Sequence, residues 1–460
     1  MAKSKEVKNG KQGLGYRLFK QYLRSIHNHF YYQKVYWLGR ENIPESCPLM
    51  IVSDHQNGLA DPLGILMSVR SRKNRKIKLI ARADVFKPML KRAMNWVGVL
   101  PAFRLSYDGE EALVNNSDTF DIAEDELLND GTVVIYPEAG HQDKRWLGKF
   151  SYGYLRIIFE AAEKSNFEKE LFILPSCNHY SDYFQLREKM LIKYGKPISA
   201  KPYYELYKTK PRTAQRQLNA VIWQQVSELM LNITDLDSYE AVDYLRETYG
   251  IKYARAKGFN PNKLPEKLQA DKQLFAELDA IKSEKQEQVQ TIYNNAKMLK
   301  EEAKRLKLED RNFDKKPSWT SVFLEGLLFF IFLPLFIFAC IPNILTLYVP
   351  KLLTAKIKDK WQHSGINFAI NALITIPVSY IIMFFIMLLI TKSIPISLTY
   401  LVILPFLGIF AWHYGKCFKG WINKIRFHKL QKRGRLKDLT ALRTNTYKSL
   451  DELLKVETKR

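Results

Sequence analysis

The stretch "SDHQNGLADPLG", residues 53 to 64, sets His55 and Asp61 just beyond the apolar run Leu49 to Val52. An imidazole and a carboxylate so placed suit general-base chemistry. A neutral ring nitrogen takes the proton of an attacking hydroxyl, which speeds such steps on the order of a hundred- to ten-thousandfold. A carboxylate on the other ring nitrogen holds the tautomer and stabilises the imidazolium that forms. Singly, each residue has a plainer reading. Asp61-Pro62 has the form of a helix start, with aspartate as cap and proline at the first helical position. His55 alone is a polar turn residue.

Other stretches shift that balance. "GVLPAFR" (98–104) carries an apolar strand into Arg104, and "VVIYPEAGHQDKRW" (133–146) carries one into Glu138, Gly140, Lys144 and Arg145. "LFILPSCNHY" (171–180) reads as a strand ending at Pro175, and "KIKLIAR" ends in Arg82. Strand ends of an α/β fold gather along one edge, where substrates bind. His55, Asp61, Arg104, Glu138, Lys144 and Arg145 are therefore expected to converge. Arg82 and Arg104 offer planar forks suited to phosphate. Glu138 suits a substrate hydroxyl, and Asn57 either orients or simply turns the His55 loop. Cys177 and His179 share a strand face, for which a structural role is expected. Lys87 reads as a surface charge.

The elements that must position these residues follow from the pattern. Strands are expected at "KVYWLG", "LMIVS", "KIKLIA", "TVVIYP", "LFILPS" and "MLIKYG", with helices near 84–95, 154–164 and 211–232. Alternation of this kind marks an α/β layer fold. Ahead of it, Leu18, Tyr22, Ile26 and Phe30 recur every fourth residue among basic positions, predicting an amphipathic helix over 14–32 that packs on the core or lies on a membrane. Residues 264–310 hold no Gly or Pro after Pro265, and their apolar positions recur at heptad-like spacing. They predict a long charged helix or helical hairpin.

The chain of 460 residues carries a formal net charge of +24, which points to polyanionic partners. Its four dispersed cysteines fit a reducing compartment and argue against a disulfide frame or structural zinc site. The basic residues at the start precede no apolar segment of the secretory kind. Three apolar runs, Gly326–Val349, Ile366–Thr391 and Ser393–Trp412, carry no charge. The second and third suit a two-span hairpin at ~20 residues per crossing. The loop 351–360 is rich in lysine and the tail 416–437 in lysine and arginine, and basic flanks stay cytoplasmic. Pro334 and Pro342 interrupt the first run, so 322–349 is expected to re-enter or lie in the interface as a helical hairpin. The tail's basic residues follow an apolar span directly, as orienting charges do, which disfavours a nucleic-acid partner.

In order and spacing, "HQNGLAD", "GVLPAFR", "YPEAGHQDKRWL" and "LPSCNHY" resemble the four blocks of the glycerol-phosphate acyltransferase superfamily, which includes lysophosphatidate and glycerol-3-phosphate acyltransferases. That family usually sets four residues between His and Asp. The five here look like the branch holding eukaryotic glycerol-3-phosphate and dihydroxyacetone-phosphate acyltransferases and similar bacterial proteins. Ala139 stands where the third block has glycine. The resemblance covers residues 34 to 200 and continues loosely through the membrane region. It implies an α/β acyltransferase domain (a mixed sheet flanked by helices) at 34–260. Around it are expected a basic amphipathic helix at 1–33, a long helical segment at 261–317, a membrane region at 318–415 and a basic cytoplasmic tail at 416–460. It also implies His55 as general base and Asp61 as its orienter. Asn57, Arg82, Arg104, Glu138, Gly140, Lys144 and Arg145 would bind substrate, with no metal and no cofactor beyond acyl-CoA or acyl carrier protein (acyl-ACP) as co-substrate. His141 takes the place of a hydroxyl residue of the third block. The implied setting is the cytoplasmic face of a bacterial inner membrane, in contact with anionic lipid. The acceptor leans to 1-acylglycerol-3-phosphate, with glycerol-3-phosphate and dihydroxyacetone phosphate as alternatives. A membrane scaffold using 264–310 to bind a partner is the reading from another class.

Overall fold

The computed structural model describes residues 11–69, 75–86, 91–103, 116–138, 144–314 and 316–456. The chain divides into two units, residues up to Asn232 together with Ile357–Phe368, and Ile233–Lys356 with Ala369 onward.

The first unit is built on an eight-stranded mixed sheet in the order β1-β7-β6-β2-β5-β3-β4, with β8 also pairing β6. The strands are β1 (Lys34–Leu38), β2 (Leu49–Ser53), β3 (Lys78–Arg82), β4 (Val99–Ala102), β5 (Thr132–Ile135), β6 (Phe172–Tyr180), β7 (Lys189–Tyr194) and β8 (Ile198–Ser199). β2 lies between β5 and β6, parallel to both, and β3 runs parallel to β5 and β4. The four side chains Leu49 to Val52 are wholly buried. That is why this run reads as continuously apolar rather than alternating: a central parallel strand is covered on both faces. Helices α1 (Leu14–Ser25, continued by a π turn to Tyr31), α2 (Ala60–Ser68), α3 (Lys91–Val97), α4 (Asn116–Leu128), α5 (Gly153–Lys164), α6 (Tyr204–Thr209) and α7 (Pro211–Leu229) complete the unit.

Several expectations are corrected here. The strand expected to stop at Pro175 runs on to Tyr180. Pro175 is tolerated because β6 changes partners there: β8 pairs Phe172 and Ile173, while β7 takes over from Ser176. A missing N–H costs least where no ladder bond is due. The helix expected at 84–95 is a short 3-10 turn at Ala83–Val85 and a helix beginning at Lys91 among the described residues. On α1 the buried side chains are Tyr16 and Leu23, followed by Ile26 in the π turn, while Leu14 and Leu18 are 65% and 63% exposed. The helix thus packs on the unit with one face and shows an apolar stripe on another.

The second unit is helical. α8 (Tyr239–Glu247), α9 (Tyr249–Ala256), α10 (Leu264–Glu284) and α11 (Gln286–Leu306) form its charged part. α10 and α11 are separated at Lys285, where a long helix or a helical hairpin was expected, and Leu274, Leu278, Ile292, Ala296 and Leu299 are buried. Three helical stretches are long and apolar enough to cross a membrane: Trp319–Thr354 (α12), His363–Thr391 and Ile394–Lys432. Within the second of these, α13 (His363–Ile370) passes through a π turn into α14 (Ile376–Thr391), and the third is α15. α12 continues unbroken through Pro334, Pro342 and Pro350, so no turn interrupts the 322–349 segment expected to form a hairpin. Prolines kink such helices without ending them when neighbouring helices re-satisfy the freed backbone groups. The basic tail is ordered structure: α16 (Lys437–Leu453) pairs Arg443 with Asp310 at 2.8 and 2.7 Å.

Candidate active site

The sheet order explains the gathering of functional residues. β2, β5 and β3 are consecutive neighbours and parallel, so their carboxyl ends lie side by side along one edge. His55 follows β2, Glu138 follows β5, and Arg82 closes β3.

At the centre stands the pair foreseen in the sequence. His55 Nδ1 lies 2.8 Å from Asp61 Oδ2. Asp61 is fully buried, and the His55 side chain is 14% exposed. Asp61 does not cap α2 in the manner its Asp-Pro sequence suggests. Lying just inside α2, its Oδ2 instead accepts the Gln56 and Asn57 backbone N–H groups at 2.9 and 2.8 Å. Its Oδ1 accepts the Tyr180 hydroxyl at 2.6 Å. Oδ2 already accepts two backbone N–H groups, so it meets the ring as an acceptor, Nδ1 carries the ring proton and Nε2 is the acceptor. The Tyr180 hydroxyl stays a donor. Its ionisation is pushed well up by burial and by the nearby Asp61 charge.

The loop is braced on several sides. Glu138 Oε1 accepts the His55 backbone N–H at 2.6 Å, and Oε2 accepts that of Gly148 at 2.8 Å. Asn57 donates its side-chain amide to the Tyr183 carbonyl at 3.0 Å, and Tyr183 donates its hydroxyl to Gln56 Oε1 at 2.6 Å. The Tyr136 ring faces His55 at 4.4 Å between centroids, inclined by 30°. Asp54 is buried behind the loop, with Oδ1 accepting the Asn178 N–H at 2.8 Å. Its carboxyl is pushed well above the usual range, first by burial and then by Asp61.

A more distant stretch of chain closes on α2. Tyr31 donates to the Ser364 carbonyl, and Phe368 sets its ring edge-on to His27 and Tyr31. Gly365 lies so near the start of α2 that a Cβ there would stand 2.6 Å from the Ala60 nitrogen and from Leu59 Cβ.

The remaining sequence candidates are placed as follows. Arg82 pairs with Asp84, Nε donating to Oδ1 at 2.9 Å. Arg145 is 3% exposed; its guanidinium lies 3.2 Å from His179 Nδ1, donates to the Tyr180 carbonyl at 3.0 Å, and sits over the Tyr183 ring. Lys144 is exposed. Cys177 is buried in the core beneath the sheet. Arg104, Gly140, Lys87 and His141 lie outside the described residues. Tyr136, Tyr180, Tyr183, Asp54 and the 357–368 segment were not singled out from the sequence, although Tyr180 closes the fourth quoted block. No group of three metal-ligating side chains occurs among the described residues.

The carboxyl edge of the parallel strands thus presents a carboxylate-held imidazole, an arrangement chemically able to take the proton of a hydroxyl. Residues 34–177 match the family named Acyltransferase. Among curated proteins, the chain is 27% identical over 137 residues to glycerol-3-phosphate O-acyltransferase 2 of Saccharomyces cerevisiae, covering 30% of this chain and 18% of that one. It thus spans less than a fifth of that relative's length. Among solved structures, the 1-acyl-sn-glycerophosphate acyltransferase PlsC of Thermotoga maritima aligns at a TM-score of 0.32 and 15% identity, over 46% of this chain and 78% of that one.

Proposed function

We propose that the chain is a membrane-bound O-acyltransferase that moves a fatty acyl group from a thioester, acyl-CoA or acyl-ACP, to a hydroxyl of a glycerol-phosphate. The observation that carries this reading is the His55–Asp61 contact of 2.8 Å at the carboxyl edge of the sheet. In the reaction, the acceptor oxygen attacks the thioester carbonyl as His55 Nε2 takes its proton. The tetrahedral intermediate collapses, the C–S bond breaks, and the imidazolium returns the proton to the departing thiolate. The substrate supplies the nucleophilic oxygen, so no serine or cysteine of the protein is acylated. Asp61 holds the tautomer and stabilises the imidazolium. Glu138 and Asn57 hold the loop that carries His55. Arg82 and Arg104 are the proposed phosphate ligands, with Gly140, Lys144 and Arg145 in the same cation-rich stretch.

The preferred acceptor is 1-acylglycerol-3-phosphate, a lipid that partitions to the bilayer where the three apolar helices would hold the enzyme. Glycerol-3-phosphate is the second reading, favoured by the name of the yeast relative. Labelled acyl-CoA supplied with each acceptor, followed by extraction into organic solvent, distinguishes the two. His55→Ala should abolish transfer while leaving the protein in the membrane fraction. Near-wild-type turnover in that variant refutes the mechanism, and no transfer to any acceptor by the wild type favours the scaffold reading.

A further inference from the structure

The second unit encloses an open cavity of about 1250 Å³ that the acyl-transfer reading does not use. Its lining includes Phe329, Phe332, Tyr414 and Trp421 of α12 and α15, together with Arg255, Arg311 and Lys316. The two helices are locked here by bonds that consume their own polar groups. Tyr414 donates to the Phe329 carbonyl and Trp421 to the Val322 carbonyl, each at 2.7 Å.

The charge count of the lining leaves a surplus. Arg311 pairs with Glu309, Lys424 with Glu325, and Asp314 with Arg443. Arg255 and Lys316 are exposed and have no acidic partner among the described residues. Two uncompensated cations thus line the same cavity as aromatic residues of helices apolar enough to cross a bilayer. The volume exceeds the ~300–1,000 Å³ typical of small-molecule sites, and the lining combines cationic with aromatic side chains. Basic pockets between membrane helices hold lipid headgroups by this chemistry.

We propose that this cavity binds an anionic glycerophospholipid, its phosphate held by Arg255 and Lys316 and one acyl chain laid against Phe329 and Phe332. The site goes beyond the acyl-transfer reading and stands whether or not that reading holds. Its occupant is structural or regulatory lipid rather than the acceptor at His55.

Cys417 lines the cavity and is exposed, whereas Cys340 is only partly exposed and does not line it. The full chain in detergent is treated with N-ethylmaleimide, and alkylation at each cysteine is read by mass spectrometry, with Cys340 as internal reference. The probe is dioleoylphosphatidylglycerol, which is neither substrate nor product of the proposed reaction. It should slow labelling of Cys417 several-fold relative to Cys340, and dioleoylphosphatidylcholine should not. The paired substitutions Arg255→Ala and Lys316→Ala should remove the protection, and the single change Lys316→Gln, at an exposed position, should weaken it. Equal protection by both lipids means a general lipid coat and overturns the proposal. Protection by inorganic phosphate alone overturns the chain-bearing ligand, and undiminished protection in the charge variants overturns the headgroup assignment.

Discussion

Asp61→Asn separates the two roles of the carboxylate. Oδ2 receives three N–H groups, from His55, Gln56 and Asn57, and Oδ1 receives the Tyr180 hydroxyl. An asparagine at 61 fits only with its carbonyl oxygen where three donors converge, since an amide NH₂ there would point at other N–H groups. Its NH₂ then faces Tyr180, whose hydroxyl turns to accept. The imidazole keeps its proton on Nδ1, and what is lost is the negative charge opposite the forming imidazolium. Unit charges ~4 Å apart at an effective dielectric of ~20 attract by about 4 kcal/mol. At roughly 1.4 kcal/mol per decade, kcat should fall by up to about a thousandfold, with KM little changed. Single-turnover transfer of labelled acyl groups measures the loss, and ¹⁵N spectra of histidine-labelled protein report the tautomer. Undiminished turnover would refute the role of the carboxylate charge, and a ring protonated on Nε2 in the variant would show that the two backbone N–H groups do not govern the orientation at 61.

Tyr136→Leu removes the ring facing His55; aromatic pairs contribute ~0.5–1.5 kcal/mol, so kcat should drop about two- to tenfold, and a loss equal to that of His55→Ala would contradict a merely packing role. Gly365→Ala forces Leu59 and Ala60 to move and with them the helix bearing Asp61; displacements near 1 Å cost about a hundredfold in rate, so normal turnover with normal melting temperature would dismiss the close approach. Burial holds His27 down to about 4, so the fold keeps it neutral; the stability this confers is full above pH ~6.5 and is lost as pH falls toward 4, by about 3 kcal/mol at most. Denaturant unfolding should show that acid-side slope in the wild type and not in His27→Gln, and equal slopes would refute it. Asp54 is shifted the other way, so its contribution is greatest at low pH and declines as pH rises; Asp54→Asn should flatten that decline between pH 5 and 8 while leaving transfer intact, and an inactive variant with an unchanged slope would oppose a neutral carboxyl there.

What could be read from the sequence was local or periodic. β2 announced itself as an unbroken apolar run, and a turn holding His and Asp directly after a central parallel strand has few places to go but the carboxyl edge. The helices α10 and α11 followed from heptad spacing, and the apolar stretches after Ile366 from uncharged length, whereas Pro334 and Pro342 suggested a break in α12 that the helix does not have. Other features depended on contacts between segments far apart in the chain. Tyr180 reaches Asp61 only because β6 continues past Pro175, and a proline in a strand reads as its end unless the exchange of β8 for β7 is known. α1 carries apolar residues on opposite faces, and only the tertiary packing decides that Tyr16 and Leu23, rather than Leu14 and Leu18, go inside. Gly365 sits over three hundred residues from Asp61 in the sequence, and nothing near it hints at α2.

Three carboxyl groups, Asp54, Asp61 and Glu138, lie close together at the base of one loop, and burying three like charges there would be prohibitive. Each has a different solution. Asp61 has four donors converging on its two oxygens. Glu138 spends its two oxygens on the backbone N–H groups of His55 and Gly148, tying the end of β2 to the segment that leads into α5. Asp54 has donors on Oδ1 and no partner on Oδ2, so it is the member of the set that takes up a proton. The charge is thereby concentrated on the one carboxylate that touches the imidazole. A general base needs its partner ionised at the moment the proton arrives, and the neighbouring acids secure this by being either neutral or already committed to the backbone.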